Sequence, residues 1–372
     1  MPYTQQKKDL ASVFLSTLFP SQEDRLRVHS REHAMRSDSS IRLKRDDELS
    51  AGISGSKLRK LLFIVNKLSE ENKTRCYIEC GYNSNNALAS AQILAEKGIE
   101  AVFIIKKRSR HLQIGNGGYF SLFNPNCIDE KPKNIEKNAE FIPEGCLTMY
   151  GILGAASLLF DHVINGKKTQ TIHIDSGSGA SAIATILAAS LLELDIHIIV
   201  HSAYDEKGEF QSKLTRYSAP FFTFFGYQAH TAIISYSFNQ FPCGKSFGSF
   251  PATIKKTIHF FAELEGVIFD PLYSAKLLHA IASKPSFAMH HEYIEYIEDS
   301  LNKRSRSAHH FNEQQGISNI LAKQSDKAST RELQYPPKQC ATNEMGIAST
   351  LARNSLVIHG GGIISLSGFF PL

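Results

Sequence analysis

Residues 171–192 read TIHIDSGSGASAIATILAASLL, which is an apolar strand, a glycine- and serine-rich loop and an apolar helix in succession. The strand pattern covers TIHI, and the helical pattern begins at Ala180 and continues to Leu192. Glycines allow a tight turn, and exposed N–H groups at a helix N-terminus bind anions. The stretch therefore predicts a phosphate-binding loop, although a plain glycine-rich turn remains an alternative. It has neither the lysine of a P-loop nor the dinucleotide fingerprint.

Outward from this unit, short apolar runs alternate with longer periodic ones. Strand patterns occupy residues 75–79, 101–105 and 196–200, and helical patterns occupy residues 59–68, 86–97 and 150–160. Strands separated by helices indicate βαβ units. The pattern thus predicts an α/β fold with mostly parallel, twisted sheets that are covered by helices on both faces.

The composition is that of an ordinary globular protein. The 372 residues carry a formal net charge of +5, with 42% hydrophobic and 21% charged residues, which excludes wholesale disorder and gives little support for nucleic-acid binding. No apolar run reaches the ~20 residues of a membrane helix. The six cysteines are scattered without a C-x-x-C, which favours free thiols in a reducing compartment. The run at residues 10–19 predicts an amphipathic helix rather than a signal peptide.

Two further stretches join short loops to helices. In SGSKLRKL (54–61), Lys57 lies at the start of a helical pattern, where an amine opposes the helix dipole and its neutral, nucleophilic form is favoured. A solvated lysine is the simple alternative. In GYNSNN (81–86), Ser84 and Asn85 follow a strand and face the crevice in which α/β proteins bind ligands. An ordinary helix N-cap is the alternative there.

A polar segment interrupts the pattern near residues 300–345, which are rich in Asn, Gln, Ser, Lys and His. This composition predicts a partly disordered surface insertion. The histidine pairs at 290–291 and 309–310 fit solvated surface better than a metal site, since adjacent histidines point in different directions.

In their order along the chain, these stretches resemble the fold-type II pyridoxal-phosphate enzymes of the 1-aminocyclopropane-1-carboxylate deaminase and D-cysteine desulfhydrase family. The resemblance runs from about residue 41 to the C-terminus. It rests on the stretches IRLKRDDELSAGISGSKLRKLL (41–62), GYNSNNALASAQILAEKG (81–98), FIPEGCLTMYGILG (141–154), IDSGSGASAIATILA (174–188), FFAELEGVIFDPLYSAKLL (260–278) and IHGGGIISLSGFF (358–370).

The resemblance implies a role for each matching residue. Lys57 would carry pyridoxal 5'-phosphate, Ser84 would hold the substrate carboxylate, and Tyr273 would be an active-site tyrosine. Asn85 would contact the 3-hydroxyl of the cofactor. The phosphate loop would consist of Gly177, Ser178, Gly179, Ala180 and Ser181. No metal ligand is expected.

By the same resemblance, Ser274 faces the pyridine nitrogen of the cofactor. The deaminases of this family carry Glu at that position, and the desulfhydrases carry a small hydroxyl residue. A hydroxyl is expected to leave the electron sink weaker than a carboxylate does. Because thiolate elimination should need a weaker sink than cyclopropane opening, D-cysteine is the favoured substrate.

Several residues depart from the family pattern. Ser56 replaces an Asn, Cys146 a Gly, Asn86 a His or Gln, and Phe247 an active-site Tyr. Gly360 stands where the family carries Leu or Thr. These departures keep a second hypothesis open, a catalytically weak relative that binds the cofactor or a partner. A plain Rossmann nucleotide binder is disfavoured because G-x-G-x-x-G is absent after the first strand.

The resemblance also implies a tryptophan synthase beta-like architecture, with two open, twisted, mostly parallel sheets covered by helices and a small αβα domain inserted in a larger one. A large cofactor-binding domain would comprise residues 1–69 and 166–372, and a small domain of residues 70–165 would close over the substrate. The expected protein is a cytoplasmic lyase or deaminase that acts on a small amino acid, forms a homodimer, and binds neither nucleic acid nor membrane.

Overall fold

The computed structural model describes residues 2–52, 55–105, 115–228, 233–241, 248–298 and 354–359. The strands are β1 (Glu32–Ala34), β2 (Ile41–Arg45), β3 (Arg75–Glu79), β4 (Glu100–Ile104), β5 (Asn126–Ile128), β6 (Ala139–Ile142), β7 (Thr171–Ser176), β8 (His197–Ser202), β9 (Tyr236–Gln240) and β10 (Ser355–His359). The helices include α1 (Gln5–Leu18), α2 (Gln22–Arg27), α3 (Lys57–Glu70), α4 (Asn85–Glu96), α5 (Asn116–Ser121), α6 (Met149–Asn165), α7 (Ala180–Leu191), α8 (Lys207–Phe224), α9 (Ala252–Glu265) and α10 (Ser274–Ala282).

These strands form two separate sheets. The larger sheet has the order β1-β2-β10-β7-β8-β9, and the smaller has the order β5-β4-β3-β6. Every pairing is parallel except that of β1 with β2. The α/β class with two mostly parallel sheets, predicted from the sequence, is thus confirmed.

Two helices, α6 and α7, are buried on nearly all sides. In α7, all residues except Ser181 are buried, and α6 is buried along most of its length. A helix that is apolar all round belongs inside a protein. Accordingly α6 packs against α1, α3 and α7. No helix in the described part of the chain is both long and apolar enough to span a membrane.

The strands of the smaller sheet fall within residues 75–142, and those of the larger sheet lie on either side of that stretch. The boundaries of the two domains, after residues 69 and 165, stay a prediction. In the centre of the larger sheet, β7 lies between β10 and β8 and leads into α7. Ligands of open α/β sheets bind at the carboxyl ends of such strands.

Candidate active site

The predicted phosphate loop connects β7 directly to α7. The N-cap residue Gly179 has a φ of 95°, which few other residues tolerate, and no side chain caps the helix. The first N–H groups of a helix have no partner within it. The hydroxyl oxygen of Ser176 is buried and has no hydrogen-bond partner among the described residues. The loop therefore offers uncapped donors to an anion.

Lys57 is the first residue of α3, at the helix start where the sequence placed it, and is partly exposed; its role as a reactive amine stays a prediction. Lys60, one turn later, is buried. Burial holds the pKa of Lys60 well below its ordinary value, and the charge of Lys57 lowers it further. Two amines thus lie close to each other at the start of one helix.

A turn at Gly145 and Cys146 links α3 to the phosphate loop. Both residues have left-handed backbones, with φ values of 70° and 59°. The Gly145 carbonyl oxygen accepts hydrogen bonds from Lys60 Nζ and from Ser178 Oγ, each at 3.4 Å. A Cβ atom at position 145 would lie 2.2 Å from Ser178 Oγ. Only glycine fits this close approach.

The same turn reaches the N-terminus of α4. The buried thiol of Cys146 donates to Asn86 Oδ1 at 3.0 Å. Burial raises the pKa of this thiol, against the opposing charges of Lys60 and Lys57. Two departures from the family pattern, Cys146 and Asn86, are therefore partners in the structure. The Nδ2 atom of Asn86 is buried without a partner among the described residues.

Ser84 is the N-cap of α4, and its hydroxyl accepts from the Ala87 N–H at 3.0 Å. The simple alternative, an N-cap, is thus correct for Ser84, and its role toward a substrate stays a prediction. Asn85 Oδ1 accepts from Asn116 Nδ2. The described hydrogen bonds of these two residues do not include Lys57 or the phosphate loop. Their neighbour Asn86 connects α4 to the turn at Gly145 and Cys146, through its hydrogen bond with the Cys146 thiol.

Tyr273 and Ser274 lie at the start of α10, beside the phosphate loop. A Cβ atom at Gly177 would come 3.0 Å from the Tyr273 hydroxyl oxygen. Burial and the negative charges of Asp270 and Asp175 raise the pKa of Tyr273 above its ordinary value. Ser274 is fully buried, and its hydroxyl donates to Asp270 Oδ2.

Sequence reasoning missed three residues of this site: Lys60, Asp175 and Asp270. Asp175 is the penultimate residue of β7, and its Oδ2 is buried without a partner among the described residues. Burial raises the pKa of the Asp175 carboxyl to about 7; Asp270 adds to the rise, while Lys57 and Lys60 oppose it. A charged residue at the end of an apolar strand was the signal that could have identified it.

Behind α3, Arg59 anchors the helix in a fully paired network. Its guanidinium donates to both oxygens of Asp46 at 2.7 Å, and Lys44 Nζ donates to Asp161 Oδ2 at 2.7 Å. Burial alone would raise the pKa of Asp161, but Lys44, His29 and Arg59 together hold it well below its ordinary value. This network fixes the first turn of α3, on which Lys57 lies.

Some sequence-based predictions lie outside the described residues. These are the departures at Phe247 and Gly360 and the segment 300–345. The remaining predicted residues fall into two groups. The structure brings Lys57, Tyr273, Ser274 and the phosphate loop together around Asp175, and it places Ser84 and Asn85 at the neighbouring helix α4.

No family model matches the chain. In sequence it is 24% identical over 262 residues to a Pyrococcus horikoshii protein named "Putative 1-aminocyclopropane-1-carboxylate deaminase", with 65% of this chain and 78% of the relative covered. A Thermotoga maritima protein of the same name is 24% identical over 257 residues, which cover 63% of this chain and 81% of the relative.

Solved structures of three other proteins are similar to this chain in fold. A structure titled as an ACC deaminase homologue superposes with a TM-score of 0.66 at 17% identity, covering 92% of this chain and 91% of the other. Threonine deaminase isoform 2 of Solanum lycopersicum has a TM-score of 0.51 at 11% identity, with 95% and 90% covered. Escherichia coli diaminopropionate ammonia lyase has a TM-score of 0.51 at 13% identity, with 98% and 89% covered. The predicted resemblance to the 1-aminocyclopropane-1-carboxylate deaminase family is confirmed.

Proposed function

We propose that this protein is a pyridoxal-phosphate-dependent lyase or deaminase that acts on a small amino acid. One observation carries the proposal: an amine at a helix N-terminus, Lys57, lies with an uncapped glycine–serine loop and a buried tyrosine in the fold of an ACC deaminase homologue. The names of the relatives, deaminases in each case, support the same class.

The described residues fit the cofactor. The N–H groups and hydroxyls of residues 177–181 would hold its phosphate, with the buried amine of Lys60 nearby. The orphaned hydroxyl of Ser176 adds one further buried polar group. Asn85 would contact the ring hydroxyl, and Lys57 would carry the cofactor. When bound, pyridoxal phosphate supplies an electron sink for the carbanion next to the amino group.

The catalytic residues have different tasks in this proposal. Lys57 removes the α-proton as general base. Its partial exposure at the start of α3 leaves the amine open to a substrate. Ser84 holds the substrate carboxylate at the N-terminus of α4, where the helix dipole also favours an anion. Tyr273 lies against the phosphate loop, beside Gly177.

For the substrate we propose D-cysteine, which would be converted with water to pyruvate, ammonia and hydrogen sulfide. The hydroxyl of Ser274 at the predicted ring-nitrogen position favours this choice. The second candidate is 1-aminocyclopropane-1-carboxylate, favoured by the names of the relatives. A catalytically weak, cofactor-binding relative stays a third hypothesis. A homodimer in the cytoplasm also stays a prediction.

The test has two parts. Protein with added cofactor should absorb at about 410–420 nm, as lysine-bound pyridoxal phosphate does, and the band should vanish in Lys57→Ala. The loaded protein is then incubated with D-cysteine, L-cysteine, D-serine and 1-aminocyclopropane-1-carboxylate, and the 2-oxo acid is measured. Pyruvate from D-cysteine supports the desulfhydrase, and 2-oxobutyrate from the cyclopropane substrate alone refutes it. A band without turnover favours the weak relative, and no band counts against all three.

A further inference from the structure

The hydroxyl proton of Ser274 is committed to Asp270. Asp270 accepts every hydrogen bond described for it: Oδ1 from the N–H groups of Leu272 and Tyr273 at 3.0 and 2.9 Å, and Oδ2 from the Ser274 N–H at 2.9 Å and from its hydroxyl. A serine hydroxyl has a single proton. The Ser274 oxygen therefore offers only lone pairs to any other group.

This direction matters at the position that is predicted to face the ring nitrogen of the cofactor. An unprotonated pyridine nitrogen is itself an acceptor, and two acceptors in contact repel each other. A nitrogen that carries a proton is a donor and can bond to the Ser274 oxygen. Ser274, held in this way by Asp270, selects the protonated form.

A second carboxylate lies close to the same place. Helix α10, which begins at Ser274, packs against β7, and Asp175 is near the end of β7. Whereas the oxygens of Asp270 are occupied, Oδ2 of Asp175 is buried without a partner among the described residues. The charged or titratable groups that act on Asp175 are Lys57, Lys60, Asp270 and Tyr273. A buried carboxylate oxygen without a partner costs stability unless something binds it.

We propose that Ser274 and Asp175 together keep the ring nitrogen of the bound cofactor protonated. The Ser274 oxygen accepts the hydrogen bond of the nitrogen, and the Asp175 carboxylate balances its charge. The inference rests on the proposed function, because it requires pyridoxal phosphate bound through Lys57 with its ring nitrogen toward α10. Ser274 lies on α10, and Asp175, which supplies the negative charge, lies on β7.

The consequence concerns the substrate. A protonated ring nitrogen makes the electron sink strong, so the choice of D-cysteine then rests on the small hydroxyl residue that the desulfhydrases of the family carry at position 274, and not on a weak sink. Asp175→Asn should then lower turnover of whichever substrate the wild type accepts, and if it accepts both, turnover of 1-aminocyclopropane-1-carboxylate should fall by the larger factor.

The test reads the nitrogen itself. The full chain is loaded with pyridoxal phosphate that carries ¹⁵N in the ring, and its ¹⁵N chemical shift is measured at about pH 8 in the wild type, Asp175→Asn and Ser274→Ala. The wild type should give the shift of a protonated pyridine, and both variants should move toward the unprotonated shift. Asp205→Asn is the matched control, since Asp205 also has a buried Oδ2 without a described partner but lies beside Gly179 at the phosphate end. Its shift should stay with the wild type.

Affinity provides an independent measurement. The wild type should prefer pyridoxal phosphate over its analogue with carbon in place of the ring nitrogen by about tenfold or more, because a hydrogen bond to a charged group is lost. The preference should fall close to one in Asp175→Asn. An unprotonated nitrogen in the wild type, or variants that leave the shift and the preference unchanged, would overturn the inference. Failure of the wild type to bind the cofactor through Lys57 would instead refute the proposed function.

Discussion

Arg59 and Lys60 are neighbours on α3 and both are buried, but their surroundings differ. Arg59 makes two hydrogen bonds to Asp46, within a network that also contains Lys44 and Asp161; these four residues are the paired cluster. Lys60 has no carboxylate partner among its described hydrogen bonds; it donates to the Gly145 carbonyl at 3.4 Å and lies against the amine of Lys57. The paired cluster satisfies its charges internally.

Lys60 belongs with Lys57, Asp175 and Asp270 to a second group, the site cluster. Burial and the charge of Lys57 lower the pKa of Lys60, burial and the charge of Asp270 raise the pKa of Asp175, and Asp175 retains an oxygen without a described partner. Buried charges that are paired serve the fold, whereas perturbed and incompletely paired ones mark functional sites. The difference between the clusters therefore separates the support of α3 from the chemistry at its N-terminus.

The largest effect is expected for Lys57→Ala in the site cluster. Turnover should fall by about 10²–10⁴-fold or more, because both the cofactor attachment and the general base are lost. The free energy of unfolding should change little, since Lys57 is partly exposed at a helix end. Turnover is measured by 2-oxo acid release, and stability by urea unfolding. Wild-type turnover in this variant would remove Lys57 from the mechanism.

In the paired cluster, Asp46→Ala should lower the free energy of unfolding by about 3–5 kcal/mol, because the Arg59 charge stays buried without its carboxylate. Urea unfolding of the cofactor-free protein measures it. The matched control is Arg31→Ala, which breaks the largely exposed pair with Glu48 and should cost at most about 1 kcal/mol. Equal losses of unfolding free energy in the two variants would contradict the view that the buried pair stabilises the protein more than the exposed pair does.

Asp175→Asn should change how stability depends on pH. The folded-state pKa of Asp175, about 7, lies above that of an unfolded Asp, so the native state binds more protons between about pH 4 and 7. Wild-type stability should therefore fall by a few kcal/mol as pH rises through this window. The variant should lose that dependence and be more stable than the wild type near pH 8. Urea unfolding of the cofactor-free proteins at about pH 5 and 8 gives the comparison, and parallel pH curves would contradict it.

The smallest effect is expected at the turn that joins Lys60 of the site cluster to the phosphate loop. Gly145→Ala should cost about 1–2 kcal/mol, because the backbone is left-handed and the new Cβ would meet Ser178 Oγ. Cofactor affinity should weaken as Ser178 moves. Gly81→Ala is the control, since nothing lies within 4 Å of a Cβ there and its φ is not positive. Titration with pyridoxal phosphate should distinguish the two.

Local patterns predicted the elements well because they depend on neighbours in sequence. The strand pattern at 75–79 coincides with β3, and the helical pattern from Arg59 belongs to α3, which begins two residues earlier. The loop before α7 and the place of Lys57 were also predicted correctly. The roles assigned to Ser84, Asn85 and Tyr273 stay predictions. Lys60, Asp175 and Asp270 escaped because their significance comes from burial and from contacts between distant segments.

By itself, the sequence determined the order of strands and helices, the loop after β7 and the amine at the start of α3, since each follows from residue spacing within a short window. The tertiary structure alone decided which of two adjacent buried cations is paired, and that the Ser274 hydroxyl points its proton at Asp270. Desolvation and hydrogen-bond direction depend on groups that folding brings together from different elements. No local pattern of residues contains that information.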